Sequence, residues 1–130
     1  MSSTQLRLAY KARPLVAVVC VVPLLGEAME SALDFAEIRS FSASDGDIAG
    51  LLRWMRPDAL IVDNEGDAEE AAAFARDHEL PVLHVSVHER ALRLYRRGTW
   101  EIIGSGEGTT PTVIRNVIAG ALFSREGAAT

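Results

Sequence analysis

Asp63 is the residue whose type and place most invite chemistry. It closes the apolar run Ala59, Leu60, Ile61 and Val62. A carboxylate at the end of a buried strand either shapes a turn, here with Asn64, Glu65 and Gly66, or acts on a ligand. Cys20 ends another apolar run. A thiolate nucleophile in a phosphate-binding loop needs glycines or an arginine beside it, but Val21, Val22 and Pro23 follow, so Cys20 reads as a small core residue. Three histidines, His78, His84 and His88, are present. His84 and His88 share a face only in a regular strand, and they read as satisfied polar side chains without a metal. Residues 104–108, Gly-Ser-Gly-Glu-Gly, precede a helix and could cradle an anion. Glu107 opposes that use, and the spacing matches no nucleotide fingerprint. No Ser/His/Asp set has a supporting local signature, so no catalytic residue is assigned and the chain does not read as an enzyme.

The basic residues form a separate pattern. Of 13 Lys and Arg only Lys11 is lysine, and Arg90, Arg93, Arg96 and Arg97 fall within eight positions. Residues 89–97 read in two ways. As a helix, the favoured reading, Arg90, Arg93 and Arg97 share a face beside Ala91, Leu94 and Tyr95. As one arm of a hairpin closed at Arg97-Gly98, Leu92, Leu94, Trp100 and Ile102 would pack on one face. In both readings the arginines also fit a plain solvated face.

These groups must be positioned by one compact unit. The chain has 130 residues, 48% of them apolar and 24% charged, the balance of a single globular domain and not of a disordered segment. One cysteine excludes an internal disulfide and a Cys-rich zinc site. A net charge of −5 argues against a nucleic-acid binder, whose phosphate contacts need positive excess. The longest apolar run, residues 14–25, is shorter than the roughly 20 residues of a membrane span. Glu27 and Glu30 leave it without a clean export cleavage site, and a cytoplasmic location is expected.

Val16, Val18, Val19, Val21 and Val22 leave no polar face over residues 15–22, as in a buried parallel strand. Helical spacing then predicts a helix over 24–33, and imperfect alternation a strand over 35–41. Ser44 and Asp47 stand at capping-box spacing before the stripe Ile48, Leu51, Leu52 and Met55, which Pro57 ends. Strands follow at 59–62, 81–87 and 99–103. A helix over 67–78 is expected to open with Asp67 and Glu70, and a last one to run from Thr110-Pro111 to about 123. Alternation of this kind implies a parallel sheet covered by helices on both faces, with ligands at the carboxyl ends of the strands.

Several pieces, in this order, resemble bacterial response-regulator receiver domains. Arg56-Pro57-Asp58-Ala59-Leu60-Ile61-Val62-Asp63 is similar to the family's third strand, which runs into the phosphoacceptor aspartate. Pro81-Val82-Leu83-His84-Val85-Ser86 resembles the fourth, ending in a switch hydroxyl. Arg97-Gly98-Thr99-Trp100-Glu101-Ile102-Ile103 resembles the turn into the fifth. Pro23-Leu24-Leu25-Gly26-Glu27-Ala28-Met29 resembles the start of the first helix, and residues 110–122 resemble the last helix. The resemblance implies a flavodoxin-like (CheY-like) α/β domain over residues 14–123. It would have a doubly wound five-stranded parallel sheet in the order 2-1-3-4-5, an extension at 1–13 and a tail at 124–130.

It also implies a site with parts missing. The family's acidic pair falls on Cys20 and Val21, its lysine on Ser105 and its aromatic switch on Ile102. Neither Cys20 nor Val21 offers the hard oxygen that Mg²⁺ requires, and Ser105 supplies no cation. Asp63 and Ser86 remain at the phosphoacceptor and switch positions. The expectation is a stand-alone atypical receiver-like signalling or interaction domain, not phosphorylated by the usual Mg²⁺ route, with no cofactor. The alternatives are a phospho-accepting regulator using Asp63, and a flavodoxin-like small-ligand binder or enzyme subunit using residues 104–108. A protein partner or a second copy, and neither nucleic acid nor membrane, is expected at a surface containing Arg90, Arg93, Leu94, Tyr95, Arg97 and Trp100.

Overall fold

The computed structural model describes residues 13–42, 47–86, 91–105 and 110–129. Three strand–helix units come first: β1 (Leu15–Cys20), α1 (Pro23–Ala32), β2 (Glu37–Ser42), α2 (Ile48–Met55), β3 (Ala59–Val62) and α3 (Glu65–His78). Then come β4 (Val82–Ser86), β5 (Ala91–Arg96), β6 (Thr99–Ser105) and α4 (Pro111–Ala129). The sheet order is β2-β1-β3-β4-β5-β6. The first four strands are parallel to one another.

The chain departs from the expected five-stranded parallel sheet after β4. β5 pairs antiparallel with β4, and β6 antiparallel with β5, giving six strands in a mixed sheet. The reason is length. Only four residues separate Ser86 from Ala91, whereas a crossover to a parallel strand takes a dozen or more. The favoured helix over 89–97 is therefore replaced, from Ala91 onward, by a strand. Arg90, His88 and Val87 lie outside the described residues. β6 points the same way as β1 to β4 but stands one strand farther from β4 than the resemblance implies.

Arg97 and Gly98 close the β5–β6 hairpin with φ of 57° and 84°, the left-handed pair of a two-residue type I′ turn. Gly98 suits its position because it has no Cβ. The turn sets Tyr95 opposite Trp100 and Arg93 opposite Ile102. The hairpin's faces therefore divide differently from the sequence expectation. Leu92 and Leu94 join the core under α1 and α4, while Tyr95 and Trp100 join the core under α2 and α3.

Those two cores sandwich the sheet. One contains Val16, Val18, Ile61, Leu83, Ile114 and Ile118. The other contains Val19, Leu52, Leu60, Val62, Ala71 and Val82. Both faces of β1 and β3 are thus buried, which is why their sequences are continuously apolar. Gly26 lets α1 approach β2: a Cβ there would lie 2.7 Å from Ser40 Oγ. α2 starts at Asp47, whose side chain accepts from the Gly50 N–H at 2.9 Å; Ser44 lies outside the described residues. α3 opens two residues earlier than expected because Asn64, and not Asp67, is its cap, accepting from the Asp67 N–H at 2.9 Å. No helix among the described residues is long and apolar enough to cross a membrane.

On β4 and β5, side chains complete the sheet's second face. Arg93 Nη2 donates to His84 Nδ1 at 2.8 Å, its guanidinium lies 4.9 Å from the Trp100 ring centroid, and Trp100 meets Tyr95 edge-to-face at 5.2 Å. Arg93 thus serves the chain's own sheet.

Leu92 tests the strand assignment. It is fully buried, one residue inside the start of β5, so Leu92→Ala should cost about 2–5 kcal/mol in urea unfolding. A cost under about 1 kcal/mol would match a surface position and contradict the mixed sheet.

Candidate functional site

The carboxyl edge of the sheet gathers most of the residues that the sequence singles out. Val19 pairs with Val62, so Cys20 and Val21 leave β1 beside Asp63 leaving β3. Ser86 ends β4 one strand away. Ser105 ends β6, and Ala91 stands between Ser86 and Ser105 in the ladder. Two ladder spacings, roughly 10 Å, thus separate the switch position from the lysine position. Ile102, opposite Arg93, is 76% exposed on the outer strand. Among the expected interface residues, Leu94 and Tyr95 are buried in the chain's own sheet and Trp100 packs against its second core. Only Arg97 of the described set is strongly exposed.

Asp63 has a defined task. Its Oδ1 accepts from the Val21 N–H at 2.8 Å, and its Oδ2 accepts from the N–H groups of Val21 at 3.0 Å and Val22 at 2.9 Å. Val22 is the N-cap residue of α1 and provides no side-chain cap. Pro23 follows at the first helical position, where its missing N–H is not needed. The carboxylate therefore caps α1 from a neighbouring strand, answering orphan donors and the positive end of the helix dipole together. Position 21 contributes its main chain here, which explains why valine suffices where the resemblance implies an acid. Sequence reasoning named both residues but had no signal for this backbone contact across 42 positions.

The same carboxylate acts on Cys20. Burial pushes the thiol above its ordinary range, the Asp63 charge pushes it further the same way, and a backbone hydrogen bond with Gly26 works against them. The protonated thiol points at the Phe41 carbonyl, 4.0 Å away. A high-pKa, buried thiol is a poor nucleophile.

The Mg²⁺ that the resemblance implies does not fit these residues. A sulfur donor and a valine replace the two acids, and Asp63 directs both oxygens at main-chain amides. Octahedral oxygen coordination cannot be assembled from this set. Around the same loop Val21, Val22 and Leu24 are exposed, at 63%, 41% and 70%, an apolar rim where phosphoryl chemistry needs charge.

No family model matches the chain, and no curated protein matches it. Among solved structures, it is similar to the crystal structure of the anti-anti-sigma factor PhyR from Bartonella quintana, with a TM-score of 0.62 and 13% identity. The match covers 99% of this chain and 55% of that one. At this identity the likeness is one of fold alone, an α/β arrangement shared over nearly the whole of this chain.

The clamp makes a paired prediction. Asp63→Ala should destabilise the fold by about 1–3 kcal/mol, and Asp63→Asn, which keeps one acceptor oxygen, by less. At about pH 8, Cys20 should react with iodoacetamide more slowly than a free thiol, and Asp63→Asn should speed it by removing a charge that favours the thiol form. Equal alkylation rates in the two proteins would show that Asp63 does not govern the thiol.

Proposed function

We propose that this chain is a receiver-like signalling domain that works through protein contacts and does not accept phosphate by the Mg²⁺-dependent route. The observation that carries the reading is the engagement of Asp63. To take a phosphoryl group, its oxygen would have to leave the Val21 and Val22 amides. The new dianion would then face Cys20 and the exposed Val21 and Leu24 side chains, with no lysine from β6. Charge neutralisation is the main protein contribution to phosphoryl transfer, and this edge supplies little. Similarity to a protein described as an anti-anti-sigma factor supports a role exercised on other proteins.

The contact surface is the side of β6 that no strand among the described residues pairs with. Edge strands carry unpaired main-chain donors and acceptors, and natural sheets usually guard them with charge or proline. Here Ile102 and Ile103 are exposed, at 76% and 37%. The opposite edge, β2, carries the exposed ion pair Arg39–Glu37 at 3.1 Å. A second copy pairing antiparallel about Ile102 would bring Ile102 against itself and set Glu101 opposite Ile103, with no like charges opposed.

Two measurements check this reading. Intact-mass analysis after acetyl phosphate and Mg²⁺ should find the chain unmodified; stoichiometric modification at Asp63 would favour a working phosphoacceptor. Sedimentation at about 50 μM should detect a dimer that Ile102→Lys abolishes without loss of fold. A monomer at every concentration would remove the second copy as the partner.

A further inference from the structure

The helical cover of the sheet's second face stops short of its last two strands. The buried sheet residues under α2 and α3 lie in β1, β3 and β4, and Tyr95 alone joins them from β5. On the first face the cluster that holds Ile114 and Ile118 of α4 extends to both Leu92 and Leu94 of β5. Residues 91–96 fall in the segment where helical spacing predicts a helix, and they form β5 instead. The second face is thus left with α2 and α3. Beyond them Trp100 is half-buried and Ile102 is 76% exposed. The open strip over β5 and β6 is two strands wide, roughly 10 Å, which is the diameter of one α-helix.

Charge at the strip is a second, independent observation. Arg93 is half-buried between His84 and Trp100. Arg39, Arg96 and Arg115 each meet a carboxylate, that of Glu37, Glu101 and Asp34. Arg93 meets none among the described residues. Its partners are an imidazole nitrogen at 2.8 Å and a ring face at 4.9 Å, and neither cancels its charge. A half-buried cation is best completed by an anion. Tryptophan and arginine side by side are also the residue types that concentrate binding energy at protein interfaces.

We propose that this strip receives an amphipathic helix of a partner protein, one with acidic residues beside its apolar stripe. Apolar side chains at i, i+3, i+4 and i+7 would lie on Trp100 and Ile102. A glutamate or aspartate next to them would reach the Arg93 guanidinium, whose planar fork suits a carboxylate. The partner helix takes the place beside α3 that the chain's own segment gives up by forming β5. The same strip of a second copy is a poorer occupant, because two-fold contact would bring Arg93 toward its own symmetry mate. The proposal rests on the reading of this chain as a module of protein contacts and deepens it by naming the partner's chemistry. It uses the broad face of the hairpin and not the main-chain edge of β6, so the two contacts are separable.

The test is fluorescence titration of the whole chain carrying Trp54→Phe, which leaves Trp100 as its single tryptophan. The probe is an amphipathic helical peptide of about 16 residues with a leucine stripe flanked by glutamates. Its control carries lysines in place of the glutamates. The glutamate peptide should shift Trp100 emission to the blue with a Kd below about 100 μM, and the lysine peptide should bind at least about tenfold more weakly. Ile102→Ser, at an exposed position that does not threaten the fold, should weaken the glutamate peptide at least about tenfold. Arg93→Gln, which removes the charge, should bring the two peptides to within about threefold of each other. Leu24→Ser, on the apolar rim at the carboxyl edge, should leave both unchanged. Three results would overturn the inference: no Trp100 shift at about 1 mM glutamate peptide, equal binding of the two peptides, or glutamate-peptide affinity unchanged by Ile102→Ser. Sedimentation and intact-mass analysis of the same Trp54→Phe chain read self-pairing and phosphate acceptance separately, so these results would remove the helix contact and leave the reading above standing.

Discussion

Four residues between Ser86 and Ala91 decide the second half of this molecule. A parallel crossover cannot be built in that length, so the chain must turn back and lay β5 against β4. Once β5 is antiparallel, the two-residue turn at Arg97-Gly98 returns β6 in the direction of the first four strands, one place farther out. Ser105 then ends a strand remote from Asp63. The Arg97 turn hangs at the amino edge beside the end of α3. Leu92 and Leu94 complete one core, and Tyr95 and Trp100 extend the other.

At the carboxyl edge the governing interaction is electrostatic. Three main-chain contacts tie the Asp63 carboxylate to Val21 and Val22, and α1 begins directly after them. An acid aimed at a helix N-terminus is well placed energetically without any ligand. Burial first, and then the same charge, favour the thiol form of Cys20. Two residue types that often do chemistry are thereby committed to structure, and the surrounding Val21, Val22 and Leu24 leave an apolar rim.

The arginine cluster is divided by the hairpin's pleat. Arg93 turns inward onto His84 and Trp100, where its charge is spread over hydrogen bonding and a π face. Arg96 reaches Glu101 across the strand. Arg97 is at the turn, in solvent, beside Arg76 from a different element. Charges that look equivalent along the chain thus meet three different environments, because alternate strand residues face opposite ways.

Much of the first half was legible in residue types alone. The apolar runs Val16-Ala17-Val18-Val19 and 59–62 dictate buried parallel strands, and the stripe Ile48, Leu52 dictates the inward face of α2. Alternation of these units implies a parallel sheet, and the receiver resemblance implies the 2-1-3-4 order that the first four strands adopt. The absence of acids at Cys20 and Val21 was equally plain. Residues 91–96 were not legible, because Leu92, Leu94 and Tyr95 satisfy both helical and strand spacing over so short a window. Only pairing with β4 separates the two. Nor could any sequence pattern show that Asp63 binds amides 41 and 42 positions away, or that Arg76 and Arg97 share a cavity. Residue order determined which segments had to be buried and in what local form. Which distant groups meet was decided by the sheet's register, since hydrogen bonds and charges act across space and carry no periodic signature along the chain.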